Sequence, residues 1–389
     1  EYFLIIIFVT AFFLRTYQLK ALFPFTMDEE YQAFLVQNMV QGQHIPLIGV
    51  NVADTGLYLG PFFTWLSTIP YIIGQGNPLI NGYFSALFGA ITACLLFFII
   101  KKYYSVLVGF TVALGYSVNP LIITFDRKYW NPSLVPLLTT LWWYAILKIQ
   151  KNNRWLLLLA LIFGFALHIH YSLLALLIPT VFVLFGDYKK KLFKPSQFTI
   201  LSSIGIFAIF LSPLFIFDLR HKFQLLLALT KLLNPFGHVF TANQSIVTKG
   251  QIVFATIARF FFLGWFSDIG NSVRTNGNLW QAGIGILITL LLWIFTKTAY
   301  KKKDKITVLS IVFLILSVIF YPGKIAGYYL LPIFPLILIL LASYLHKVTR
   351  LINFRQHRLL YVGIALLLML WTSQGLTLRN NYGLTLKEN

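Results

Sequence analysis

Three consecutive acidic residues, Asp28, Glu29 and Glu30, are the strongest chemical signal in this sequence. The chain has 11 Asp and Glu residues against 31 Lys and Arg residues, so a run of acids is conspicuous. A carboxylate in such a loop can accept a proton from a hydroxyl group as that hydroxyl attacks, or it can help to bind a divalent cation. The structural alternative is an acidic first turn of a helix, which the helix dipole favours.

The local pattern places these acids at the start of a helix. Thr26 and Glu29 have the spacing of a capping box, which predicts a helix from Met27 to Val40 that ends at Gly42. Three acids in so basic a chain exceed what a helix start needs. The pattern therefore favours a functional role for Asp28 and Glu29, whereas Glu30 needs no role beyond that of a helix-start acid.

The composition identifies the elements that must position this stretch. The chain is 58% hydrophobic and 11% charged, with a mean hydropathy of +0.77, whereas soluble domains carry roughly 25% charged residues. Repeated long apolar runs predict an all-α integral membrane protein. The net charge of +20 lies in short basic clusters between those runs, which is the positive-inside pattern and argues against nucleic-acid binding. The one cysteine, Cys94, excludes an internal disulfide.

Charge also predicts the topology. With the basic clusters in the cytoplasm, 11 apolar segments alternate as spans: 2–19, 79–100, 105–124, 132–149, 155–170, 172–187, 198–217, 279–296, 306–321, 327–345 and 358–374. Two shorter runs, 58–73 and 251–266, then lie along the outer face as juxtamembrane helices. We expect one membrane domain over residues 1–389, a cytoplasmic N-terminus and large outer regions at 20–78 and 218–278. Because the chain starts at Glu1 inside an apolar run, we also expect an incomplete N-terminus.

The opening of the chain resembles a known family. Leu14 to Leu19, Phe25 to Tyr31 and Met39 to Gly42 are similar to the start of GT-C glycosyltransferases of the protein O-mannosyltransferase and aminoarabinose-transferase type. The resemblance implies a multi-pass plasma-membrane enzyme that transfers a sugar, with inversion, from a polyprenyl-phosphate donor to an acceptor on the outer face. It implies that Asp28 is the catalytic base and that Glu29 is its partner.

Two outer turns carry further candidates. In the turn after the third span, Asp126, Arg127 and Asn131 suggest a sugar or phosphate contact, with an interfacial belt as the alternative. Asn131 stands where relatives have an aspartate. At the next outer turn we favour His170 as a phosphate ligand, because ionisable groups at membrane depth are functional hypotheses by default. Asp54 in the first outer region is either a second acid of the site or a loop residue.

The remaining candidates lie late in the chain. Lys324 precedes Tyr328 and Tyr329 in a run ending Tyr-Tyr-Leu-Leu-Pro, which resembles a late motif of the family. A lysine between two outer span ends suits a polyprenyl phosphate, whose head would bind the ammonium while its chain stays in lipid. Arg259, in the run 251–266, is a further candidate phosphate ligand, with interfacial anchoring as its alternative.

Other functions stay open at this point. A transporter or lipid flippase predicts mid-membrane acids and internal repeats, and the sequence has neither pattern. A membrane assembly factor would tolerate loss of Asp28 and Lys324, and an oligosaccharide ligase or polymerase would use a diphosphate-linked donor. The sequence does not distinguish hexosyl from pentosyl transfer, a protein from a lipid or glycan acceptor, or a metal-dependent from a metal-independent enzyme.

Overall fold

The computed structural model is helical almost throughout. It describes residues 1–25, 27–52, 55–233, 244–262, 278–297, 302–352 and 354–385. Within those ranges the strand-like pairing is an isolated antiparallel bridge between Asn51 and Tyr58. Thr26 and Asp54 lie outside the described residues, so the capping box and the predicted role of Asp54 stay predictions.

The helices follow the apolar pattern of the sequence. They are, in chain order, α1 (Tyr2–Thr16), α2 (Leu19–Leu22), α3 (Met27–Val40), α4 (Phe62–Ile73), α5 (Leu79–Tyr103), α6 (Val106–Val118), α7 (Pro120–Asp126), α8 (Val135–Lys148), α9 (Trp155–Ile169), α10 (Leu177–Lys189), α11 (Gln197–Arg220), α12 (Gln224–Leu233), α13 (Ile246–Phe262), α14 (Leu279–Lys297), α15 (Lys302–Ile319), α16 (Ile333–Leu351) and α17 (Phe354–Thr385). Short 3-10 segments at Asn131–Leu134, Tyr171–Leu176 and Gly327–Leu330 precede α8, α10 and α16. Each predicted span is represented by a helix or a pair of helices.

The predicted all-α membrane fold is confirmed, whereas the number of spans stays a prediction. Four helical stretches in the described ranges are long and apolar enough to cross a bilayer, namely 79–103, 171–189, 197–220 and 333–351. A fifth is formed if α6 and α7, which are bent by 60° at Asn119, make one broken span. Several others, including α1 and α9, are shorter apolar helices.

Helix α3 has the bounds predicted for it, and its first turn carries Asp28, Glu29 and Glu30. It ends before Gly42, whose φ of +71° is the left-handed conformation that glycine adopts without strain. The predicted juxtamembrane run 58–73 forms α4, which packs against α3, α5 and α9. The run 251–266 falls largely within α13, which is described as far as Phe262.

A buried ion pair joins α1 to α7. The Nε of Arg15 donates to Oδ2 of Asp126 at 2.8 Å, and neither side chain is more than 3% exposed. The same guanidinium donates to the carbonyl oxygens of Ala11 and Ser117, each at 3.0 Å. A Cβ at Gly89 of α5 would overlap Asp126 Oδ2 and Arg15 Nε, so the glycine leaves the space that the pair occupies.

Candidate active site

A cavity of about 470 Å³ lies where α3, the loop before α4 and the three 3-10 segments meet. Five of the side chains predicted from the sequence line it: Asp28, Asn131, His170, Tyr328 and Tyr329. Asn51, Trp130, Tyr171, Ser172 and Tyr321 complete the polar and aromatic part of the lining. The fold therefore brings together candidate residues that are up to about 300 positions apart in sequence.

The two predicted catalytic acids have different environments. The side chain of Asp28 is 70% exposed and lines the cavity, whereas the side chain of Glu29 is 3% exposed. The Nζ of Lys128 lies 3.1 Å from Glu29 Oε1 and 3.7 Å from Asp28 Oδ2. Asp28 is thus the acid with access to a substrate, and Glu29 lies behind it.

His170 contributes a hydrogen-bond donor to the cavity wall. The backbone N–H of Ser172 donates to His170 Nδ1 at 3.2 Å, and the Ser172 hydroxyl lies 2.7 Å from the same nitrogen. Because Nδ1 accepts, the ring proton resides on Nε2. The Nε2–H of His170 is therefore available as a hydrogen-bond donor to a ligand in the cavity.

An aromatic wall faces Asp28. The ring of Trp130 meets that of Tyr328 edge-on with centroids 4.6 Å apart, and Tyr329 meets the imidazole of His170 at 5.0 Å. A tyrosine phenol keeps its proton at neutral pH, so Tyr328 and Tyr329 can donate hydrogen bonds to a sugar or a phosphate in the cavity.

Asn131 and His168 connect the segments that form the cavity wall through hydrogen bonds. Asn131 Nδ2 donates to the carbonyl oxygen of His168 at 3.1 Å. The fully buried His168 accepts from the Phe62 N–H at Nδ1 and contacts the Phe210 carbonyl oxygen through Nε2 at 2.8 Å. His168 thereby ties the start of α4 to α9 and α11. Of the two histidines in the predicted turn, His168 is structural and His170 faces the cavity.

We predict that Gly60→Ala destabilises the protein. A Cβ at this position would overlap the imidazole of His168, so the ring must move and its hydrogen bonds to Phe62 and Phe210 must lengthen. Such overpacking costs roughly 1–3 kcal/mol. The measurement is thermal unfolding in detergent, followed with a thiol-reactive dye that reports the single cysteine. Gly205→Ala is the matched control because no atom lies within 4 Å of its Cβ position. Equal melting temperatures for the two variants would contradict the prediction.

Three predicted ligands are not among the residues that line the cavity. Asp126 is engaged with Arg15 in the ion pair described above. Arg127 is 6% exposed, and its Nη2 donates to the carbonyl oxygen of Leu14 at 2.8 Å, at the C-terminal end of α1. Arg259 is 3% exposed, and its Nη2 donates to Gln281 Oε1 at 3.2 Å. These contacts join helices, and none of the three side chains lines the cavity. Their predicted roles in substrate or phosphate binding stay predictions.

Lys324 lies on an exposed loop next to the cavity. Its side chain is exposed and does not line the cavity, whereas Tyr321, three residues earlier, does. Side chains near α13 fasten this loop: Gln244 Oε1 accepts from the Ile325 N–H at 2.8 Å, and Lys249 Nζ donates to the Tyr321 carbonyl oxygen. Lys324 is thus an exposed residue three positions from the lining residue Tyr321, and its predicted role as a phosphate ligand stays a prediction.

Lys128 is the important residue that the sequence reasoning missed, together with the lining residues Trp130 and Tyr321. Its neighbours in the same turn were proposed from their charge, but their spacing carries no signal that Lys128 would face the acids. No group of three or more His, Cys, Asp or Glu side chains that could hold a metal ion occurs within the described ranges. The cation that the structure places between the two acids is an ammonium group.

Comparison with known proteins agrees with this architecture. Residues 59–217 match a family model described as dolichyl-phosphate-mannose-protein mannosyltransferase. Among solved structures, ArnT from Cupriavidus metallidurans bound to undecaprenyl phosphate has a TM-score of 0.62 at 14% identity, covering 94% of this chain. The same protein in the apo state has a TM-score of 0.61 at 11% identity, covering 93% of this chain. The chain spans 62% of the length of either ArnT structure. No curated protein sequence matches it.

These matches show the fold of the chain. The chain has the GT-C membrane fold, and the resemblance inferred from its opening residues is confirmed by the family model and by the two structures. The matched region 59–217 begins with the loop before α4 and ends within α11, so it contains Lys128, Asn131 and His170.

Proposed function

We propose that this protein is a membrane glycosyltransferase that moves a sugar from a polyprenyl-phosphate donor to an acceptor hydroxyl at the outer membrane face. The observation that carries the proposal is the cavity in which the exposed carboxylate of Asp28 faces His170, Tyr328 and Tyr329. The GT-C fold supports it, as does the undecaprenyl phosphate bound to the structurally similar ArnT.

In the proposed reaction Asp28 acts as the base. The acceptor oxygen attacks the anomeric carbon from the side opposite the phosphate, so a C–O bond to the acceptor forms as the bond to the phosphate oxygen breaks. The acceptor proton passes to the Asp28 carboxylate, and the electron pair of the broken bond leaves with the polyprenyl phosphate. This displacement inverts the anomeric centre. The apolar and aromatic part of the lining excludes water that would otherwise compete with the acceptor.

The leaving phosphate needs hydrogen-bond donors, and three side chains of the cavity lining can supply them. The Nε2–H of His170 and the phenols of Tyr328 and Tyr329 would donate hydrogen bonds to the phosphate oxygens, which stabilises the charge that develops there. The exposed Lys324 would attract the anionic head group before it enters. The phosphodiester of the donor carries one negative charge and the departing polyprenyl phosphate gains a second, so these donors would act on the charge that appears as the bond breaks.

The experiment that tests the proposal uses the purified full chain in proteoliposomes with labelled polyprenyl-phosphate hexose and pentose, and with membrane extract as the source of acceptor. We expect label in a glycoside product and an equal amount of polyprenyl phosphate released. Movement of labelled donor across the bilayer without glycoside formation would instead identify a flippase. Turnover of a diphosphate-linked oligosaccharide alone would identify a ligase. The productive donor decides between hexosyl and pentosyl transfer.

Lys324→Met should raise the donor KM by about fivefold and leave kcat nearly unchanged, because an exposed cation contributes to capture of the anion more than to the chemical step. The effect should shrink at high ionic strength, which screens exposed charges. Lys222→Met, at another exposed lysine, is the control. A variant Lys324→Met with wild-type KM at low salt would remove Lys324 from donor capture.

A further inference from the structure

Lys128 joins three parts of the site from behind the cavity wall. Its ammonium lies 3.1 Å from the buried carboxylate of Glu29 and 3.7 Å from that of Asp28. It also lies 4.4 Å from the ring centroid of Trp130, which lines the cavity. Lys128 itself is not part of the lining, so it can act on a substrate through these neighbours and not by touching it.

The backbone around Lys128 is fixed by two serine hydroxyls. The carbonyl oxygen of Lys128 accepts from Ser85 Oγ of α5 and from Ser133 Oγ, each at 2.9 Å. Ser133 Oγ in turn accepts from the Trp130 N–H at 3.2 Å. The side chain of Lys128 is 17% exposed, so most of its length is packed. The position of the ammonium is therefore set by α5 and by the 3-10 segment that starts at Asn131.

Glu29, Lys128 and Asp28 differ greatly in side-chain exposure, and the difference indicates which group restrains which. Glu29 is 3% exposed in its side chain and fixed; Asp28 is 70% exposed and would otherwise sample several rotamers. A buried carboxylate requires a paired cation, which Lys128 supplies to Glu29. The same ammonium then reaches Asp28 from one side. Glu29 thus anchors the lysine, and the lysine restrains the acid that faces the cavity.

We propose that Lys128 is a positioning residue of this site, and that its ammonium takes the place between Asp28 and Glu29 that a divalent cation would need. The inference rests on the proposed function of Asp28. Two adjacent carboxylates attract Mg²⁺ or Mn²⁺ when their oxygens are free to converge on one ion. Here the ammonium of Lys128, whose backbone carbonyl is fixed by Ser85 and Ser133, already lies within 4 Å of both carboxylates. The Lys128 ammonium then supplies the positive charge beside the Asp28 and Glu29 carboxylates, so turnover should not require a metal.

The test compares Lys128→Met with wild type in the sugar-transfer assay. We expect kcat to fall by about 10- to 100-fold, the cost of misplacing a catalytic group, with the donor KM within about twofold. Lys128→Arg should recover much of the loss, and ethylammonium should partly rescue Lys128→Ala. Lys20→Met, at an exposed lysine of α2, should behave as wild type. Wild-type turnover should be unchanged by EDTA.

Several results would overturn the inference. An unchanged kcat in Lys128→Met would do so, as would a change in KM alone, which would make Lys128 a donor ligand. Loss of wild-type turnover in EDTA that Mg²⁺ or Mn²⁺ restores would show that a metal is needed after all. If Lys128→Met does not fold, the test is Glu29→Gln, which removes the carboxylate that anchors the ammonium and keeps the lysine. An unchanged kcat in Glu29→Gln would contradict the proposal that Glu29 holds Lys128 and that Lys128 restrains Asp28. A wild-type protein that transfers no sugar from any polyprenyl phosphate overturns the proposed function itself, and this inference with it.

Discussion

Replacement of Asp28 by asparagine is expected to reduce kcat for sugar transfer by roughly 10²- to 10⁴-fold, the usual contribution of a general base. The amide has nearly the shape of the carboxylate, but it cannot accept the acceptor proton. Because the Asp28 side chain is 70% exposed, its loss should leave expression and thermal stability close to wild type. The donor KM should also stay similar, since the carboxylate acts on the acceptor. The measurement is initial-rate kinetics with the polyprenyl-phosphate sugar identified in the donor screen.

Glu30→Gln is the matched control for that experiment. Glu30 lies in the same first turn of α3 and is exposed, but it does not line the cavity. The substitution removes the same charge from the same helix end, so any general effect of the helix dipole or of local net charge will appear in both variants. A loss confined to Asp28→Asn identifies the base. Equal activity in the two variants, with Asp28→Asn folded, would end the proposed mechanism.

Arg15→Met is expected to destabilise the protein by roughly 3–5 kcal/mol, the usual cost of removing one partner of a buried ion pair. The substitution leaves the carboxylate of Asp126, which is 2% exposed, without its guanidinium. It also leaves the Ser117 carbonyl oxygen without its donor. The expected result is a large fall in melting temperature, read by the reaction of Cys94 with a thiol dye, and low yield in detergent. Activity per folded molecule should change much less.

The double substitution Arg15→Met with Asp126→Leu separates charge from packing. Removing both partners eliminates the uncompensated carboxylate, so the double variant should recover part of the lost stability. Arg154→Met, at an exposed arginine before α9, controls for loss of a basic residue and should lie within about 0.5 kcal/mol of wild type. If Arg15→Met melts like Arg154→Met, the ion pair does not stabilise the junction of α1 and α7, and Asp126 would again be available to a substrate.

The sequence was sufficient to predict the helices because each apolar run carries its own signal. Segments such as 79–100 and 198–217 became α5 and α11 with small shifts at their ends. The helix Met27–Val40 was also predictable, since an acidic first turn and a following glycine are local signals for its start and end. The number of membrane crossings was a different kind of inference. It depends on which loops share a side, and helix lengths alone leave it a prediction.

The turn 125–133 shows what local sequence could not decide. Asp126, Arg127 and Lys128 are adjacent and charged, yet they face Arg15, the end of α1 and the acids of α3 respectively. The helix α7 ends at Asp126, and beyond it no periodic backbone fixes the direction of successive side chains. Charge made Asp126 and Arg127 candidates but did not single out Lys128. The packing of α1, α3 and α5 around the turn directs the first two side chains to contacts with α1 and directs Lys128 to the acids of α3.

The sequence by itself determined that this is a helical membrane protein with an unusual cluster of acids at the start of α3, because composition, hydropathy and capping patterns are local properties of the chain. Only the tertiary structure decided that Asp28 faces the cavity while Glu29 is buried, and that His170 faces it while His168 does not. Each of those differences depends on what packs against the residue from helices far away in sequence. A cavity is formed by several segments at once, so its members cannot be read from any one of them.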